Sequence, residues 1–95
     1  MKIVIRSIRH KGLKRLFQSD DARGVIAEHE VKLRDILARL DAAGSAADMD
    51  VAGFRLHALR GELRGFWAVT VRANWRVIYR FAETDVFDVD YLDYH

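Results

Sequence analysis

Three consecutive side chains near the end of this chain, Asp93, Tyr94 and His95, place a carboxylate, a phenol and an imidazole side by side. Upstream of them the strand-like run Trp75-Arg76-Val77-Ile78-Tyr79-Arg80-Phe81 carries two guanidinium groups, and His57 and Arg60 stand further upstream. That inventory suits cleavage of a phosphodiester without a metal. A nuclease that uses the ribose 2′-hydroxyl as nucleophile needs a base for the hydroxyl proton, cations around the pentavalent phosphate, and an acid for the leaving 5′-oxygen. His95, His57, Asp93 and Tyr94 can move protons, and Arg60 and Arg76 can supply charge. Histidine suits proton transfer because imidazole ordinarily titrates close to neutrality. Arginine suits a phosphate because its planar fork contacts two oxygens at once. Each residue also has an ordinary structural use: a surface histidine, a solvated sheet arginine, an aspartate paired for stability, a half-buried strand tyrosine. Strict alternation groups Tyr94 with Asp88 and Asp90 and sets Asp93 and His95 on the other side with Phe87 and Val89. The three converge only if the last strand twists or loses regularity at its end.

The elements that must position these groups are legible from hydrophobic periodicity. Lys2-Ile3-Val4-Ile5 predicts a short N-terminal strand. Leu13, Leu16 and Phe17 fall at helical spacing, and Asp20 to Gly24 breaks the helix. Leu33, Ile36, Leu37 and Leu40 form one apolar stripe of a second helix. Glu28–Lys32, Glu30–Arg34 and Asp35–Arg39 add acid-before-base pairs four apart, and Gly44 is a natural stop. Ala43 to Gly53 reads as a loop. From Phe54 the period changes to two, with turns at Gly61-Glu62, Ala73-Asn74 and Glu83-Thr84-Asp85. Trp67, Val69 and Val71 share one face of a strand; Trp75, Val77, Tyr79 and Phe81 oppose Arg76, Ile78 and Arg80. Phe87, Val89 and Tyr91 lie on the apolar parity of a last strand that runs to the final residue, predicting a tethered terminus. The expected fold is α+β: an N-terminal strand and two helices packed on a mainly antiparallel sheet of about four to five strands. The helices should cover the aromatic face and leave the Arg76 face open.

Composition bounds the rest. With 95 residues, 51% of them hydrophobic, the chain makes one domain, residues 1–95. No run approaches the ~18 apolar residues of a membrane span, and the N-terminus lacks the apolar core of a signal peptide. There is no cysteine, hence no disulfide and no thiolate chemistry. A cytoplasmic protein is expected. The net charge of +2 is uneven: residues 1–47 hold ten basic against six acidic side chains, residues 48–95 six against eight. A basic surface broken by a local acidic group fits a phosphate-bearing partner at a site that also moves protons. No metal site is expected, because His10, His29, His57 and His95 lack paired ligand spacing. Asp88, Asp90 and Asp93 lack the glycine and closing glutamate of a calcium loop.

Six motifs, four of them in the second half, carry a resemblance over nearly the whole chain. Phe54-Arg55-Leu56-His57-Ala58-Leu59-Arg60-Gly61, Gly65-Phe66-Trp67-Ala68-Val69, Asn74-Trp75-Arg76-Val77 and Asp88-Val89-Asp90-Tyr91-Leu92-Asp93-Tyr94-His95 closely resemble the HigB toxins, host-inhibition-of-growth proteins of the RelE/ParE superfamily. Arg9-His10-Lys11-Gly12-Leu13 and Ile36-Leu37-Ala38-Arg39-Leu40-Asp41 look like the same family. The resemblance implies a RelE-like fold and an endoribonuclease (an mRNA interferase) that acts on mRNA in the ribosomal A site and needs no cofactor. It also implies a HigA-type helix-turn-helix antitoxin as partner, with operator DNA bound indirectly through that antitoxin. The family's catalytic positions fall on His57, Arg60, Arg76, Asp93, Tyr94 and His95, with Arg60 and Arg76 on the RNA. Arg60 stands where many relatives carry lysine; arginine keeps the charge but does not exchange a proton. Two rival expectations come from the same superfamily: a non-catalytic ParE-like toxin that binds DNA gyrase, and a co-repressor acting only with its antitoxin.

Overall fold

The computed structural model describes residues 4–94. Lys2 and Ile3 of the expected first strand, and His95, lie outside the described residues. Two helices, α1 (Lys11–Ser19) and α2 (Glu30–Asp41), precede four strands, β1 (His57–Ala58), β2 (Trp67–Arg72), β3 (Trp75–Ala82) and β4 (Asp85–Asp93). The sheet runs β1-β2-β3-β4 with every neighbour antiparallel. The N-terminal segment lies along the outer edge of β4. Val86 donates its N–H to the Val4 carbonyl, and Arg6 N–H returns to the Val86 carbonyl. Ile5 and Ile8 bridge Val86 and Val89 in parallel.

Both helices form where the periodicity puts them. In α2 the stripe Leu33, Ile36, Leu37 and Leu40 is buried, and burial of each such side chain is worth roughly 1.5–3 kcal/mol against exposure. On its polar face Arg34 bonds Glu30 at 2.9 Å and Arg39 bonds Asp35 at 3.0 Å. Arg34 also pairs with Asp20 in the segment after α1. The His10 side chain caps α1, its Nδ1 accepting the Leu13 N–H at 3.0 Å. Gly12 is buried against the backbone of Gly24, so α1 approaches the chain that follows it more closely than any side chain would allow. At the far end of α2, Asp41 accepts the N–H groups of Val4 and Ile5, tying helix to sheet edge.

The helices cover Val69, Val77, Tyr79, Val86 and Val89. Three expectations need correction. The run from Phe54 is a strand only at His57–Ala58, because Arg55 adopts a left-handed φ of 52° that breaks extension. Ala43 to Gly53 is not plain loop: Ala46–Met49 forms a 3₁₀ turn closed by a Ser45–Asp48 capping box, with Met49 fully buried. Phe87 is not on the apolar parity. A bulge between Ile78 and Arg80 on β3, with Asp88 at φ 56°, inserts one residue into β4. The bulge puts Val89 and Tyr91 on the helix side while Phe87, in direct register from the Glu83–Thr84 turn, stays paired with Arg80, whose guanidinium lies 5.1 Å from its ring centroid.

Candidate active site

Directly paired residues of adjacent strands share a face, so the register lays out the surface turned away from the helices. Thr70, Arg76 and Leu92 form one row, and His57, Ala68, Ile78 and Asp90 form the next. This face is less open than the sequence predicts. The segment joining β1 to β2 passes a 3₁₀ turn at Gly61–Leu63 and packs Leu59, Leu63 and Phe66, with Leu92, over Ala68 and Ile78.

His57 stands exposed on β1. Its Nδ1 lies 2.9 Å from the Arg55 carbonyl oxygen, which can only accept, so Nδ1 carries a hydrogen. In the neutral ring this leaves the lone pair on Nε2, the nitrogen able to take a proton. Arg76 is half-buried on β3, with its guanidinium folded back on the β2–β3 turn: Nη1 donates to the Ala73 carbonyl at 2.6 Å and to the Trp75 carbonyl at 3.2 Å. Two strand spacings and two residues separate His57 from Arg76, on the order of 12 Å between Cα atoms. Ala68 and Ile78, which lie between them on this face, are covered by Leu59, Leu63, Phe66 and Leu92.

Arg60 is exposed where the 3₁₀ turn begins, three residues beyond His57. Tyr94 donates its N–H to the Asn74 carbonyl at 2.8 Å, extending the β3–β4 ladder, and it is 40% exposed on the Arg76 side. Asp93 pairs with Trp75 instead, so alternation sets its carboxylate on the helix side. Asp93 and Tyr94 thus occupy opposite faces, and His95 lies outside the described residues. Asp90 shares the face of His57, with one carboxylate oxygen accepting the Tyr91 N–H at 2.9 Å.

Two of the four histidines are tied up on the helix side. His29 is buried with Nδ1 2.6 Å from the Tyr91 hydroxyl, edge-on to Trp75; His10, the α1 cap, stands edge-on to Tyr91. Burial pushes the Tyr91 phenol up, against the opposing contact with the Ile26 backbone. At the other end of β4, Arg80 holds Asp88 at 2.7 Å and Arg9 lies 3.5 Å away. The hydrogen bond from Arg80 keeps the Asp88 carboxyl below the usual carboxylate range. Among the described residues no three His, Asp or Glu side chains are placed to hold a metal ion. No helix among them is long and apolar enough to cross a membrane.

The sequence pattern did not single out Thr70, which the register sets opposite Arg76. A strict two-residue turn closing on Arg72 and Trp75 would pair Arg76 with Val71; the bulge between Thr70 and Arg72 brings Thr70 there.

The profile of the family described as the RelE-like toxin of type II toxin-antitoxin system HigB matches residues 6–95. A protein of Proteus vulgaris named Endoribonuclease HigB is 38% identical over 92 residues, covering 97% of this chain and all of the relative. Two helices on a four-stranded antiparallel sheet, the histidine and arginine on its outer face, and a match running through both halves lead to one assignment: the chain belongs to the HigB-like, RelE-type toxins of type II toxin-antitoxin systems.

Proposed function

We propose that this toxin is a ribosome-dependent endoribonuclease that cuts mRNA in the A site and so stops translation and growth. The observation that carries the reading is that His57, its Nδ1 held by the Arg55 carbonyl, shares one face of the sheet with Arg76. The relative named as an endoribonuclease supports the same chemistry and gives no support to a gyrase-binding role or to action as a co-repressor alone. A pure binder has no use for a poised imidazole.

The reaction needs one proton removed and one supplied. A base takes the 2′-hydroxyl proton, the 2′-oxygen bonds to phosphorus, and the bond to the 5′-oxygen breaks as an acid protonates it. The products are a 2′,3′-cyclic phosphate, or the 3′-phosphate after hydrolysis, and a 5′-hydroxyl. His57 is one proton carrier; His95, with Asp93 near it in sequence, is the other on the strength of the family resemblance. Arg76 and Arg60 brace the phosphate, and Tyr94 orients the RNA or an imidazole. A domain of 11.0 kDa and net charge +2 has little surface to grip RNA alone, so ribosomal RNA completes the site.

A toxin of a type II system is paired with an antitoxin; we take that partner to be of the HigA helix-turn-helix type, through which operator DNA is reached, with both proteins in the cytoplasm. The α2 helix carrying Lys32, Arg34 and Arg39 is a docking surface for an acidic antitoxin, although each of these cations also has a partner within the chain. Arg34 and Arg39 pair within the chain, and Lys32 bonds the Gly53 carbonyl over the Phe54 ring. Primer extension on mRNA from expressing cells, beside naked and ribosome-bound mRNA in vitro, tests the proposal. Breaks confined to translated frames and absent from naked RNA are expected. Equal cleavage of naked RNA would overturn ribosome dependence, and no breaks at all would overturn the nuclease.

A further inference from the structure

Among the described residues, three buried side-chain polar atoms lack a hydrogen-bond partner: Tyr79 Oη, Thr70 Oγ1 and Arg76 Nε. Tyr79 belongs to the helix side of the sheet. The other two belong to residues paired directly across β2 and β3, on the face that carries His57. Native proteins seldom leave such atoms unpaired, and each instance calls for a reason such as a catalytic role. Here one is a hydroxyl oxygen able to accept and the other an N–H able only to donate. Facing residues of complementary capacity, both unsatisfied, mark a contact that the resting conformation leaves unmade.

The cause is the position of the guanidinium. With Nη1 held by the Ala73 and Trp75 carbonyls, the fork is folded onto its own turn and Nε has no acceptor. A guanidinium that grips a phosphate through both terminal nitrogens must release those carbonyls and present Nη1 and Nη2 outward. Its plane is then fixed only if Nε is held from behind. Valine at position 70 would match threonine in shape, suit the strand and remove an unpaired hydroxyl, so packing gives no reason for the hydroxyl.

We propose that Thr70 is a positioning residue for Arg76: its hydroxyl accepts the Nε hydrogen bond when the guanidinium swings from the Ala73–Trp75 carbonyls onto the scissile phosphate. The inference rests on the reading of Arg76 as the phosphate brace. Thr70→Val and Thr70→Ser test it, measured as single-turnover mRNA cleavage on ribosomes and as thermal melting, beside Arg76→Ala and beside Thr70→Val in an Arg76→Lys background. The valine variant should melt no lower than wild type yet cleave about tenfold to a hundredfold more slowly, the range for a hydrogen bond to a charged group. Serine should keep cleavage within about twofold, because it retains the oxygen. Lysine has no Nε fork, so in that background the valine change should cost nothing further. Wild-type cleavage by Thr70→Val, a serine variant as slow as the valine one, slower cleavage together with lower melting, or an undiminished valine effect beside lysine each overturns the positioning role. Wild-type cleavage by Arg76→Ala would instead overturn the phosphate-brace reading itself.

Discussion

Replacing His57 by asparagine separates chemistry from folding. The ring is exposed, and the one hydrogen bond the structure gives it runs from Nδ1 to the Arg55 carbonyl. An asparagine amide places a donor close to that nitrogen, so the link that pins the chain after the left-handed Arg55 can be retained. What disappears is Nε2, the atom free to exchange a proton. Surface changes of this kind leave stability within about 0.5 kcal/mol. Loss of a general acid or base typically slows a reaction by about a hundredfold to ten-thousandfold, or about 3 to 5 kcal/mol of barrier. His57→Asn should therefore unfold in urea at the wild-type midpoint and cleave ribosome-bound mRNA at least a hundredfold more slowly. His57→Ala should lose as much and regain part of it with free imidazole, since the ring site is open to solvent. A folded asparagine variant cutting at the wild-type rate would refute the assignment of His57.

Two further expectations concern the scaffold. A Cβ added at Gly12 would lie 2.1 Å from the Gly24 carbonyl oxygen and 2.5 Å from its carbon, backbone against backbone. Gly12→Ala should cost about 3 kcal/mol, and calorimetry returning less than about 1 kcal/mol would show that the two segments part easily. Stability should fall at both ends of the pH range. Asp88 has a folded-state pKa below its unfolded value, so its contribution is present above about pH 4 and lost as pH falls through the folded value; Asp88→Asn should flatten that acid limb in urea titrations. Burial raises the phenols of Tyr79 and Tyr91 above their unfolded value, so the folded state loses stability as pH climbs past about 10. A flat alkaline limb in the same titrations would contradict the burial of these rings.

Much of the scaffold follows from the residues alone. The leucine stripe of α2, its i,i+4 ion pairs, the α1 segment and the faces of β3 depend on periodicities and neighbours within one element, and the structure places them where the side-chain chemistry does. Arg76 on the polar parity opposite Trp75, Val77 and Tyr79 is legible for the same reason. The family too is legible, because its motifs are contiguous runs. Tertiary structure alone decided which residues stand beside which. Pairing of Arg76 with Thr70 and of Ile78 with Asp90 depends on two bulges, and a bulge is a one-residue slip that no alternation announces. The slip in β4 is held from far away: Ser7 accepts the Asp88 N–H through its hydroxyl at 2.8 Å and the Val89 N–H through its carbonyl at 3.0 Å. The four histidines look alike in sequence, yet the fold commits His10 to a helix cap and His29 to Tyr91 while leaving His57 a free ring nitrogen. Local chemistry sets what each segment becomes, whereas register and hydrogen-bond partners are set by segments distant in sequence, and these decide which side chains meet.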